Sequence, residues 1–379
     1  MVKKLGLAVL LVLAAASIVK GFYNGLTFVD FHWESAALFL RGENPYQWFF
    51  DNRYFQGVWV DATQAPSTIA FILPFGFFSH YVGNALWSVA NVVFFFVLSY
   101  FVWKTFFADD LTLAIVIMAV FALGVPYRNC IGNGQHGMIS MAYFAVAYWA
   151  MERKKSFWLV GFLMAGALFK YTFAVPLAFI FLFRRQWKAM AVCAGIHIGL
   201  TLALGWWTGT NPIALVLQSM KVGTALNTVG GDADWGGIAH WLGCENVKAF
   251  SLAGYLFFGI LLFAYSFTGK SDSLLKLATF SVIANVMFYH RVYDFITLIF
   301  PAIYVVKNVS NKSLIGGMIR WLTVAVVFHP FFGIKILGAT GLVEAFYVPV
   351  NFLLEHLLLV GLLIESYRLH NCDSICREE

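Results

Sequence analysis

Four groups of residues in this 379-residue chain have types and spacings suited to chemistry. The first is Asp30-Phe31-His32-Trp33-Glu34. If residues 30–41 are helical, Asp30 and Glu34 stand at i,i+4 on one face, and a carboxylate there could take a proton from an attacking hydroxyl. The alternative is that Asp30 caps the helix and Glu34 is solvated. The second group is Arg128-Asn129-Cys130-Ile131-Gly132-Asn133-Gly134-Gln135-His136. Its glycines permit a tight turn. Asn133, Gln135 and His136, with free amides at a helix start, could hold a phosphate or sugar hydroxyls; a plain cap between two membrane segments is the alternative. The third is Lys170, alone between the apolar runs Leu163–Phe169 and Tyr171–Leu182. A charge at mid-membrane costs about 2.5–3.5 kcal/mol on insertion scales, so such a residue usually faces a cavity, unless it snorkels to the interface. The fourth is His290-Arg291 with Asp294. Arginine's planar fork suits two phosphate oxygens, and Asp294 could orient one of the two cations. An Arg291–Asp294 salt bridge at i,i+3 in an outer loop is the alternative.

The elements that must position these groups are membrane helices. The chain is 61 % hydrophobic and only 12 % charged, against about 25 % charged in soluble domains. There is too little charge to coat a soluble domain of this length, so lipid must be the solvent for much of the surface. Forty Phe, sixteen Tyr and thirteen Trp fit this reading, since Tyr and Trp gather at membrane interfaces. The +6 charge comes in short clusters between apolar runs, which excludes a nucleic-acid partner. The five cysteines have no metal-ligand spacing, so no metal and no cofactor are expected, and Cys130 and Cys244 read as unrelated thiols.

Twelve apolar runs stand between charged punctuation, near 5–22, 83–106, 111–127, 137–150, 157–170, 171–183, 189–208, 251–268, 274–290, 293–307, 316–333 and 341–364. The run 66–80, with Pro66 and Pro74, is left uncounted. With twelve spans, most of the 25 basic residues fall on one side, which is then cytoplasmic and holds both termini. On that model the runs 157–170 and 171–183 are a short hairpin with Lys170 near the outer surface. Two long polar stretches, 23–65 and 209–250, lie outside. The first is net acidic and predicts two short amphipathic helices, before Gly42 and after Pro45, lying in the interface plane. There is no linker or repeat, so residues 1–379 read as one integral membrane domain.

Together these pieces resemble glycosyltransferase family 87, the bacterial polyprenyl-phosphate-sugar-dependent enzymes of the GT-C fold class, best known as α-mannosyltransferases. The resemblance rests on Asp30 with Ala36-Ala37 and Gly42-Glu-Asn-Pro-Tyr46. It continues through Pro66 leading to Leu86-Trp87 and Asn91, then Gly132-Asn-Gly-Gln135 with Ala165-Gly166, Lys170, Pro176 and Arg184–Lys188. It closes with Tyr289-His-Arg-Val-Tyr-Asp294 leading into Pro301. The family's frequent Tyr-Pro-Pro is here Gln64-Ala65-Pro66. The resemblance implies an all-α polytopic GT-C-type bundle of about twelve transmembrane helices in the inner (plasma) membrane, with an extracytoplasmic active site. It implies a polyprenyl-phosphate-sugar donor, a cell-envelope glycan or glycolipid acceptor and inverting transfer with Asp30 as general base. His290 and Arg291 would stabilise the leaving phosphate, with Lys170 and Arg128 behind them. Glu34, Tyr46, Asn133, Gln135, His136 and Asp294 complete the expected substrate contacts. The rival from another class is a secondary transporter or lipid flippase using Lys170, Arg291 and Asp294. Transporters usually carry paired inverted repeats, and none is visible here.

Overall fold

The computed structural model describes residues 2–27, 31–226, 230–267, 272–309 and 313–375. Asp30 lies outside these described residues. The chain is almost wholly helical, and its helices in order are α1 (Val2–Gly25), α2 (Trp33–Leu40), α3 (Pro45–Phe50), α4 (Pro66–Gly76), α5 (His80–Phe106), α6 (Leu111–Leu123) and α7 (Val125–Gly132). There follow α8 (Gly137–Glu152), α9 (Phe157–Ala167), α10 (Tyr171–Phe183), α11 (Trp187–Trp207), α12 (Pro212–Leu226), α13 (Trp235–Trp241) and α14 (Val247–Phe267). The last are α15 (Ser273–Met287), α16 (Ile299–Asn308), α17 (Leu314–Phe328), α18 (Ile334–Thr340) and α19 (Val343–Ile375). A small antiparallel hairpin of β1 (Tyr54–Phe55) and β2 (Val58–Trp59) is the sheet among the described residues. Among the described residues seven helical stretches are long and apolar enough to cross a membrane, or eight if the bent pair Leu111–Leu123 with Val125–Gly132, at 67°, is one span. The chain is therefore an all-α polytopic membrane protein. Several of the twelve runs form helices shorter than the roughly 20 residues of a full crossing; the run at 274–290, for example, becomes a helix of 15 residues.

The chain groups into two compact units. The first comprises residues 1–123, 127–170 and 187–228. In it α8 and α9 run antiparallel, and Lys104, Lys155 and Lys188 sit over Trp103, Trp149 and Phe157 at one end. Such cation–π contacts suit lysine stems that reach for an interface. Helical residues continue from Phe157 to Phe183, a stretch counted among the seven. Yet Lys188 Nζ lies 5.7 Å from the Phe157 ring, and a Cβ on Gly161 would stand 2.5 Å from the Ala189 carbonyl oxygen. One straight crossing of this length would part its ends by about 40 Å at about 1.5 Å per residue. The stretch is therefore not one straight crossing; it is interrupted by the 3₁₀ turn Leu168–Lys170.

Helix α2 departs from the sequence reading in two ways. It starts at Trp33, and its N-cap His32 is left-handed with φ 57°. The expected helix over 30–41 thus begins only at Trp33, and the expected i,i+4 pairing of Asp30 with Glu34 lies outside the described residues. Nor does α2 have the open polar face of an amphipathic helix. Seven of its eight residues are buried, because α4 packs along it so closely that a Cβ on Gly76 would stand 2.9 Å from the Ala36 backbone. At 11 residues, α4 spans about 16 Å, so the run at 66–80 covers α2 and does not cross. Helix α3 is capped by Asn44, whose Oδ1 accepts from the Tyr46 and Gln47 amides.

The second unit comprises residues 124–126, 171–186 and 229–379. Its centre is α15, buried at nearly every position and packed on α10, α14, α16 and α19. Arg184 and Asp272 meet Ser273 and Asn308 at the start of α15; Tyr289–Asp294 follow its other end.

Candidate functional site

In the first unit the residues at the end of α2 meet those around the α7–α8 turn. His32 Nδ1 donates to the Asp61 carbonyl, which leaves Nε2 to accept from Thr63 Oγ1 at 3.3 Å. Glu34 is 2 % exposed. Its Oε1 accepts from Ser35 Oγ at 3.2 Å and from the Asp61 amide at 3.3 Å, and lies 3.9 Å from His32 Nδ1. Burial raises this carboxyl to about 7, with His32 opposing the rise. A carboxylic acid with that midpoint can hold or release a proton near neutrality.

The His32 ring stacks at 5.3 Å on His136, which packs against Phe169 at 4.8 Å. His136 Nε2 faces the Phe31 carbonyl at 3.3 Å, so that nitrogen carries the proton, and its Nδ1 is buried with no hydrogen-bond partner. Burial, then His32 and Lys170, push its midpoint well below the ordinary 6.5. The ring is therefore neutral at pH 7, with an acceptor lone pair at Nδ1. Beside it, Lys170 Nζ donates to Gln135 Oε1 at 2.9 Å. The 3₁₀ turn that follows α9 is what delivers this lysine to the same end as the α7–α8 turn.

That turn is not the expected amide cradle. The amides of Asn133, Gly134 and Gln135 donate to the carbonyls of Asn129, Ile131 and Cys130, closing the C-terminus of α7 with Gly134 at φ +65°. Only the side chains of Gln135 and His136 face the cluster. Asn133 remains a half-buried turn residue. Arg128 packs its stem on Gly21 of α1, where a Cβ would come within 3.5 Å of its Cγ. Tyr46 is fully buried, its hydroxyl donating to the Gln64 carbonyl at 2.7 Å; it holds α3 to the strand leading into α4.

The second unit carries a separate polar cluster. His290 Nε2 faces the Ala284 carbonyl at 3.0 Å, and Nδ1 faces Asp294 Oδ2 at 3.2 Å. Asp294 also accepts the Arg291 amide at 3.3 Å, capping the 3₁₀ turn Val292–Leu298. The Arg291 side chain turns elsewhere: Nε donates to the Tyr289 hydroxyl at 2.6 Å, and Nη1 lies 3.5 Å from Asp232. The Arg291 side chain is 41 % exposed while that of Asp232 is 10 % exposed, so the arginine is held from one side and open on the other. Burial raises the Asp232 carboxyl to about 6, with Arg291 opposing. The 230–237 stretch is laid directly on the extended segment after α15: the Asp232 amide donates to the His290 carbonyl at 2.8 Å. Asp234 caps α13 and accepts from Gly231 and Gly237.

Asp232, Asp234 and Tyr289 were not candidates on sequence. Their signal was the run Gly230-Gly231-Asp232-Ala233-Asp234-Trp235-Gly236-Gly237, in which flanking glycines free a backbone to lie against another strand. A Cβ on Gly237 would stand 1.9 Å from the Gly231 carbonyl oxygen. Among the described residues no group of three or more His, Cys, Asp or Glu could hold a metal ion, and Cys130 and Cys244 are free thiols.

The searches of curated proteins and of solved structures return no match. The family model for glycosyltransferase family 87 matches residues 63–289, a stretch that takes in the Gln135–His136–Lys170 cluster, the 230–237 loop and Tyr289. A multi-pass membrane protein with that match over more than half its length belongs to glycosyltransferase family 87.

Proposed function

We propose that this membrane glycosyltransferase takes its sugar from a polyprenyl-phosphate donor and passes it, with inversion, to a glycan or glycolipid acceptor of the cell envelope. Mannose is the proposed sugar, and the fold is proposed to be of the GT-C type. The observation that carries the donor assignment is the half-open Arg291 side chain, gripped by Tyr289 and Asp232 beside His290. A fixed cation of this shape suits a phosphate that gains charge as its bond to the sugar breaks. Asp30, assigned through the family resemblance, is the proposed general base. Its carboxylate removes the acceptor hydroxyl proton, the oxygen attacks the anomeric carbon from the face opposite the phosphate, and the electron pair of the breaking C–O bond leaves on the polyprenyl phosphate. Glu34, Gln135, His136 and Lys170 contact substrate hydroxyls in this reading, Arg291 meets the phosphate, and Asp294 orients His290 behind it. Both termini and the basic loop clusters lie on the cytoplasmic face of the plasma (inner) membrane, and catalysis is on the other side.

The test is sugar transfer by purified protein in nanodiscs, from polyprenyl-phosphate-mannose to a crude lipid acceptor pool. Wild type, Asp30→Asn and Glu34→Gln are compared. Transfer that disappears in Asp30→Asn with donor binding retained supports both donor and base. Equal transfer by Asp30→Asn removes it as base and points to Glu34. No transfer from any polyprenyl-phosphate sugar overturns the donor assignment.

A further inference from the structure

Helix α19 carries a polar seam that none of the chemistry above uses. On its buried face Tyr347, Asn351 and Glu355 stand at i, i+4 and i+8, with 4 %, 2 % and 1 % exposure. The same face continues with Leu358 and Leu362, both at 0 %. The seam is tied to the Asp232 loop, because Trp235 Nε1 donates to His356 Nε2 at 3.2 Å and Tyr347 lies within electrostatic reach of Asp232. Its other walls are polar too. Glu355 Oε1 accepts from Asn285 Nδ2 at 3.3 Å, and Asn285 Oδ1 accepts from Thr297 Oγ1 at 3.0 Å. His329 Nδ1 lies 2.7 Å from Asn351 Oδ1, and its ring stacks on Tyr347 at 5.4 Å.

Tyr347 and Asn351 reach each other, yet the Tyr347 hydroxyl, Asn351 Nδ2 and Glu355 Oε2 are each left short of a well-formed hydrogen bond. An orphaned polar group costs about 1–3 kcal/mol, and polar residues inside a membrane helix usually mark a substrate path. Three within about 12 Å of helix therefore call for a ligand that supplies what the protein leaves out. They are a hydroxyl, an amide donor and a carboxyl oxygen, so their complement is a hydroxyl, an acceptor and a second hydroxyl. Among the described residues Glu355 meets Asn285 and no cation, so the seam offers a phosphate no counter-charge, and donor N–H and O–H groups do not suit a cation. A neutral polyol with paired donor and acceptor hydroxyls matches all three. Leu358 and Leu362, both fully buried, end the polar part of this face, so any recess here is bounded on that side and is not a conduction path.

We propose that Tyr347, Asn351 and Glu355 form a subsite for the hydroxyls of a pyranose ring, continuous with the Asp232–Arg291 pair. This deepens the reading above, and rests on it only for whether donor sugar or acceptor sugar fills the recess. The full chain in nanodiscs is probed by saturation-transfer NMR with methyl α-mannopyranoside, methyl α-glucopyranoside and methyl α-galactopyranoside, which carry neither lipid nor phosphate. At least one binds wild type, and Glu355→Gln and Asn351→Leu weaken it about 10- to 100-fold, as expected for losing a hydrogen bond to a charged or buried group. Glu355→Gln keeps the Oε1 acceptor for Asn285, so it retains the fold and decides the matter if Asn351→Leu does not assemble. Equal binding by wild type and Glu355→Gln, or no binding of any methyl pyranoside, overturns the subsite. In the transfer assay a rise in KM confined to polyprenyl-phosphate-mannose assigns the recess to the donor sugar, and one confined to the acceptor assigns it to the acceptor. Absence of transfer from that donor defeats the donor assignment alone and leaves the glycoside result standing.

Discussion

Glu34 gives the sharpest test of the first-unit cluster, because its behaviour follows from burial whatever its catalytic part. Its carboxyl moves from the ordinary 4.5 to about 7. The folded protein thus holds this proton more tightly than the unfolded chain does, so the contribution is fully present below about pH 4.5 and is lost as pH rises through about 7. At about 1.36 kcal/mol per pH unit, the loss is about 3 kcal/mol above pH 8, an upper figure given the Ser35 and Asp61 donors that remain. Glu34→Gln keeps an Oε1 acceptor for the Asp61 amide and cannot ionise. Its melting temperature should therefore match wild type at pH 5 and exceed it by a few degrees at pH 8.5, the gap opening between those limits. The assay is thermal unfolding in nanodiscs, followed by tryptophan fluorescence from pH 5 to 9. A difference that is constant with pH, or that closes as pH rises, refutes the argument that a desolvated, protonatable carboxyl sits here.

Lys170→Met should lower transfer about 100-fold or more without lowering the melting temperature, since the lost ammonium is 9 % exposed and burying a charge costs stability; an active variant would make this lysine a structural plug for Gln135. Arg291→Lys should retain the charge but lose the Nε contact to Tyr289, cutting kcat/KM about tenfold, with Arg291→Met falling at least another tenfold; equal loss in both would show that the fork geometry is irrelevant. Gly237→Ala places a Cβ 1.9 Å from the Gly231 carbonyl oxygen and should displace the loop that lays Asp232 beside Arg291. Its expected signature is transfer reduced about tenfold or more, with a melting point lowered by a few degrees; unchanged transfer would show that the loop position does not matter to the reaction.

Much of this protein was legible in its sequence because lipid is a severe solvent. Lipid leaves no backbone polar group unsatisfied, so apolar runs between basic clusters could only be helices. A lone Lys170 among them had to have a partner. The sequence also placed the turn between α2 and α3 from Gly42 to Pro45, and it marked Gln135, His136, His290 and Arg291 as residues that pay for their positions. What it could not decide was tertiary. Composition gives α2 and an interfacial helix the same amphipathic look, and only the close approach of α4 at Gly76 shows that α2 is buried. Glu34 becomes a group poised near neutrality through that burial, which no local pattern encodes. The Gly132–Gln135 turn has the same residues whether its amides are open or spent, and the long-range geometry spends them on α7. The pairing of Arg291 with Asp232, not with Asp294, needs the 230–237 loop to arrive from about sixty residues away. A sequence records which residues are costly to bury; only the packed chain settles which partners relieve that cost.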